Sequence, residues 1–108
     1  MKSFKHLAVD DAKTMIEKGD VTIVDVRDSQ SYNTAHIDNS IRIHKDNIDQ
    51  FLSESDNSRP LIVYCYHGNT SQDAANFFFE KGVKDVYSMD GGFEAWRVSD
   101  LIASDTQQ

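Results

Sequence analysis

Leu61-Ile62-Val63-Tyr64 is apolar at every position, where a half-buried strand would be apolar at alternate ones, and it is started by Pro60. A strand with that pattern is buried on both faces, which is the mark of a parallel sheet covered by helices. Val21-Thr22-Ile23-Val24-Asp25-Val26 reads the same way until a polar break near its carboxyl end. Shorter strands are expected over 3–7, 40–43 and 86–89. Helical patterns fill the gaps. Asp10 is expected to cap a helix in which Ala12, Met15 and Ile16 share one face, and Gly19 to end it. A helical turn fits 29–34, and 47–54 is amphipathic through Ile48, Phe51 and Leu52. A helix over 71–82 closes on Gly82, and a short one runs from Phe93 to about Val98. Strands and helices alternating through short connections give an α/β fold with helices on both faces. Pattern alone does not order the strands.

The 108 residues suit one domain spanning 1–108, with 103–108 as a frayed end. No apolar stretch has membrane-spanning length, and the first ten residues lack the apolar core of a signal peptide. One cysteine permits no internal disulfide, which suits a reducing cytoplasm. A net charge of −7 argues against nucleic acid as a partner. With no heptad pattern or large apolar stripe, the expected state is a monomer. An anionic substrate would need local donors to overcome the unfavourable overall field.

The chemistry concentrates at Cys65-Tyr66-His67-Gly68-Asn69-Thr70-Ser71, which joins the apolar strand to a helix. Backbone amides at such a junction have no partners in the helix and can converge on an anion. Gly68 and Asn69 tolerate the curl this needs. A thiol in that cradle is favoured as thiolate, the attacking form. The competing account makes Cys65 a small core hydrophobe. Its place at the carboxyl end of a parallel strand favours the reactive one. Thr70 and Ser71 can donate hydroxyls to the sulfur or cap the helix, and His67 can add a donor at the rim. Asp25 and Arg27 are expected to brace the loop through charge-assisted hydrogen bonds. His36 is expected to satisfy backbone groups, because no zinc-like ligand spacing surrounds it. Trp96 and Phe77, Phe78 and Phe79 are expected in the core, with one aromatic exposed near the site. Gly91 and Gly92 are expected to serve the turn before the last helix.

Taken together, the Cys65–Thr70 loop, Asp25-Val26-Arg27 with Tyr32, His36-Ile37 and Ser40, and Gly91-Gly92-Phe93-Glu94-Ala95-Trp96 resemble the rhodanese homology domain. The resemblance covers nearly the whole chain. It implies a five-stranded parallel sheet and a sulfur-transfer cycle that needs no cofactor and no metal. Cys65 would take the outer sulfur of thiosulfate, release sulfite, and pass the sulfur to cyanide or to a thiol such as reduced thioredoxin. Many rhodanese loops carry Arg or Lys where this one has Tyr66, His67 and Asn69. A persulfide carrier in a protein relay and a non-enzymatic binding module are the alternatives within the family. A cysteine phosphatase would need Arg five residues beyond the cysteine's neighbour, where this chain has Ser71.

Overall fold

The computed structural model describes the backbone of residues 4–106 and the side chains of 4–102. Five strands, β1 (Lys5–Leu7), β2 (Thr22–Asp25), β3 (Ile41–Arg42), β4 (Leu61–Tyr64) and β5 (Val86–Met89), form one sheet in the order β1-β5-β4-β2-β3. Every pairing is parallel. The helices are α1 (Val9–Lys18), α2 (Ser29–Thr34), α3 (Ile48–Glu54), α4 (Thr70–Glu80) and α5 (Gly92–Thr106).

Successive side chains of a strand point to opposite faces, and the two faces of this sheet bury separate cores. Ile23, Ile62, Tyr64 and Met89 pack with Leu7, Ala12, Ile37 and Phe93 on the side covered by α1 and α5. Val24, Leu61, Val63 and Val86 pack with Ala75, Phe78 and Val83 on the side covered by α3 and α4. The apolar run of β4 thus supplies both cores from the middle of the sheet, and all four of its residues are buried.

Several boundaries differ from the sequence expectation. Ala8, not Asp10, is the N-cap of α1, because the chain turns straight from β1 into the helix and Asp10 falls in its first turn. There its carboxylate faces the positive end of the helix dipole. The end of α4 is closed as expected near Gly82, where the Gly82 and Val83 amides donate to the carbonyls of Phe79 and Phe78. The last helix continues to Thr106, well past Val98. Neither glycine nor proline interrupts 99–106, and Lys13 of α1 ties the extension down by donating to Ser99 Oγ at 3.0 Å and Asp100 Oδ1 at 2.7 Å. Ser3, Gln107 and Gln108 lie outside the described residues.

Of the three consecutive phenylalanines only Phe78 is fully buried; Phe77 is half-buried and Phe79 is exposed. Truncating Phe78 to alanine should therefore cost about 3–5 kcal/mol in urea unfolding. Phe79→Ala should cost under about 1 kcal/mol, as surface substitutions do. Equal costs would contradict the packing described for α4.

Candidate active site

The chain leaves β2 toward the first core through Ile37 and leaves the adjacent β4 toward the second through Ala75 and Phe78. Connections diverging to opposite faces open a crevice at the carboxyl ends of the two strands, where open α/β sheets bind ligands. Cys65 sits at the end of β4, and Asp25 ends β2 in register with Tyr64. The fold therefore brings the Cys65 loop and the Asp25–Arg27 turn side by side.

The loop curls around its own sulfur. The amides of Gly68 and Ser71 each donate to Cys65 Sγ at 3.2 Å. Ser71 lies in the first turn of α4, so its amide is one of those the helix leaves unpaired. Cys65 is 5 % exposed, more enclosed than a thiol at an open loop mouth. Burial pushes its pKa up, but the Ser71 hydroxyl and amide, with the amides of Gly68 and His67, outweigh burial and leave it below the ordinary thiol value. The group at the bottom of the crevice is a thiol whose ionised form the loop favours.

The loop is held from outside by the start of α5. The Phe93 amide donates to the Cys65 carbonyl at 2.8 Å and the Glu94 amide to the Tyr66 carbonyl at 3.1 Å. This leaves no room between the two backbones. A Cβ on Gly92, whose φ is +61°, would lie 2.5 Å from the carbonyl oxygens of Cys65 and Tyr66. A Cβ on Gly68, at φ +91°, would lie 2.8 Å from the Gly91 amide nitrogen. Gly92 thus does more than the turn expected of it: it lets α5 dock against the cysteine loop. The Gln72 side chain adds a further bond to the Gly68 carbonyl at 2.9 Å.

Beneath the loop, Asp25 and Arg27 form a buried pair. Arg27 Nε donates to both carboxylate oxygens at 3.1 Å, Nη2 to Oδ2 at 2.7 Å, and the Arg27 amide to Oδ1 at 2.8 Å. Nη2 also donates to the Ala35 carbonyl at 2.7 Å. The guanidinium lies 4.3 Å from the ring centre of Phe93 and 5.3 Å from that of Tyr66. One cation therefore contacts a residue that follows Cys65 and a residue whose amide holds Cys65. Tyr64 is drawn in as well, its hydroxyl accepting from the Ile37 amide at 3.1 Å and lying 3.2 Å from Ser40 Oγ. Beside this cluster a pocket of about 320 Å³ is lined by Arg27, Tyr66, Phe93 and Arg97, among others.

Residues 8–99 match the Rhodanese-like domain. The chain belongs to the rhodanese-like family. It is 49% identical over 96 residues to the thiosulfate sulfurtransferase GlpE of Shewanella oneidensis, covering 89% of this chain and 95% of that one. The GlpE of Pseudoalteromonas translucida is 43% identical over 97 residues, with 90% and 92% covered. Among solved structures, a protein of unknown function from Rhodopseudomonas palustris, described as a possible tyrosine phosphatase, superposes with a TM-score of 0.79. It shares 26% identity and covers 91% of this chain and 83% of its own.

In this rhodanese-like chain the residues singled out by sequence fall into two groups. The structure draws Cys65, His67 (through its amide), Gly68 and Ser71 together around the sulfur. Tyr66, the His67 side chain, Asn69 and Thr70 are exposed along the outer loop. The cap of α4 is Asn69, so neither Thr70 nor Ser71 caps the helix. His36 stacks on Tyr32 with ring centres 3.9 Å apart, its Nδ1 lying 2.7 Å from the Tyr32 carbonyl. That is the backbone role expected of it. Sequence reading did not find Ser88, whose hydroxyl lies 2.8 Å from Ser71 Oγ. The available signal was a lone serine inside the apolar run Val86-Tyr87-Ser88-Met89.

Two substitutions test this frame. Gly92→Ala should disorder the loop and raise the Cys65 pKa, seen as slower thiol alkylation at neutral pH. Asp25→Ala strands a buried guanidinium and should cost about 3–5 kcal/mol in urea unfolding. A wild-type alkylation rate in the first, or wild-type stability in the second, would contradict the contacts described.

Proposed function

We propose that this chain is a thiosulfate sulfurtransferase in which Cys65 carries the transferred sulfur as a persulfide. The observation that carries the reading is the convergence of loop amides on Cys65 Sγ, which favours a thiolate without any neighbouring general base. The 49% identity to a thiosulfate sulfurtransferase over most of both chains supports the same reaction.

In the first half-reaction the Cys65 thiolate attacks the outer sulfur of thiosulfate. A new S–S bond forms, the old one breaks, and sulfite leaves with its electron pair. Charge is conserved, since the thiolate becomes a persulfide anion. In the second, a nucleophile attacks the outer persulfide sulfur and restores the thiolate; cyanide yields thiocyanate, and a thiol such as that of reduced thioredoxin yields its own persulfide. Each step leaves an anion within the loop, where amide dipoles serve it as they would an oxyanion. The order is ping-pong. Tyr66, His67, Asn69 and Thr70 form the outer loop that an incoming donor or acceptor meets. Asp25 and Arg27 hold the loop's underside, and His36 orders the adjoining turn.

Phosphoryl transfer is disfavoured. The position that would carry the clamping arginine is Ser71, fully buried and bonded to another serine. The single cysteine and the charge of −7 favour action as a cytoplasmic monomer. Among the described residues no helix is long and apolar enough to cross a membrane.

The experiment is thiocyanate release from thiosulfate and cyanide, with intact mass after thiosulfate treatment. Wild type should turn over and gain one sulfur atom. Cys65→Ser should lose about three orders of magnitude or more in rate, as removal of a covalent nucleophile does, and should gain no sulfur. A sulfur adduct without turnover would make the chain a relay carrier. Neither signal in wild type would overturn the proposal in favour of a binding module.

A further inference from the structure

Ser88 lies in the interior of β5, 1% exposed, on the face that packs against α4. Its hydroxyl meets that of Ser71, itself fully buried, at 2.8 Å. Ser71 in turn meets Cys65 Sγ through its amide at 3.2 Å. The hydroxyl pair thus leads from the middle of the sheet to Ser71, the residue whose amide contacts the sulfur. A serine in an apolar layer is costly unless its hydroxyl is bonded, and this bond is directed toward the site.

The direction of the protons follows from counting them. Each hydroxyl has one proton to give. If Ser71 donates to Ser88, its oxygen lone pairs are what it can turn toward the sulfur, and that opposes a negative charge. If Ser88 donates to Ser71, the Ser71 proton is free for the sulfur. A thiolate selects the second arrangement, and the resulting chain of two aligned hydroxyls polarises in its favour. The Ser71 hydroxyl is among the groups that lower the Cys65 pKa.

We propose that Ser88 is a positioning residue for sulfur transfer: it donates to Ser71 Oγ and so commits the Ser71 hydroxyl to the Cys65 sulfur. The inference rests on the reading of Cys65 as the nucleophile. When Cys65 is protonated the pair can reverse, with Ser71 donating to Ser88, so that the two hydroxyls follow the charge state of the sulfur without moving a heavy atom. Removing Ser88 leaves Ser71 in place but no longer fixes where its proton points.

The test compares Ser88→Ala, Ser88→Thr and Ser88→Val. Threonine and valine have nearly the same shape and differ by the hydroxyl, so packing damage is common to both. The readouts are the pH profile of Cys65 alkylation by iodoacetamide, the pH profile of thiosulfate:cyanide turnover, and the melting temperature. Ala and Val variants should shift the alkylation midpoint upward by about half to one pH unit, equivalent to about three- to tenfold less thiolate below the midpoint. Their kcat/KM for thiosulfate should fall by that factor near pH 6 and recover in alkaline solution, where Cys65 is ionised in every variant. Thr should retain the wild-type profile. Equal midpoints in the Thr and Val variants, or a loss of rate uniform across pH, would reduce Ser88 to packing and overturn the inference. If Ser88→Ala does not fold, the Thr–Val comparison decides. Wild type without any thiosulfate turnover would instead break the underlying reading of Cys65.

Discussion

The site depends on a small number of backbone N–H groups aimed at one sulfur atom. The protein carries a net charge of −7, so the long-range field repels thiosulfate and disfavours a thiolate. No Lys or Arg occurs in the loop itself. Fixed dipoles must overcome that field at short range. They do so because the amides of Gly68 and Ser71 sit 3.2 Å from the sulfur in a site where burial weakens screening. The same burial penalises the charge, and the cradle succeeds only while every donor stays in place.

The surrounding structure meets that condition. The curl of the loop leaves the carbonyls of Cys65 and Tyr66 pointing outward, and the amides of Phe93 and Glu94 at the start of α5 take them up. Each partner supplies what the other lacks, since the first amides of a helix have no acceptor within it. Gly92 is required because a Cβ would occupy the space through which those bonds form. From below, Arg27 is fixed by Asp25 and lies against the rings of Phe93 and Tyr66, so the loop and its brace touch the same cation. Parallel register makes this arrangement possible, because Asp25 and Tyr64 end their strands side by side.

Much of this was legible in sequence where local chemistry decides it. The all-apolar β4 run announced a doubly covered parallel sheet, and the strand–cysteine–glycine–helix sequence announced an anion cradle. Features that depend on tertiary contact were not legible. Ser88 reads as an incidental serine until β5 is placed next to β4 and beneath α4. Gly92 reads as part of a turn, because nothing local says that another backbone lies 2.5 Å from its would-be Cβ. The extension of α5 was missed because Lys13, which anchors it, is 86 residues away from Ser99. Asp10 looked like a cap because the shortness of the β1–α1 connection was not visible in composition.

The central claim is that the folded loop stabilises the Cys65 thiolate, and its most direct measure is the pH titration of thiolate ultraviolet absorbance in the native protein, with Cys65→Ser as the blank. A single transition is expected, with its midpoint below the value of a free thiol, about 8.5, and rising toward that value on unfolding. A native midpoint at or above it would mean that burial outweighs the amides, and the cradle would not be the source of the chemistry.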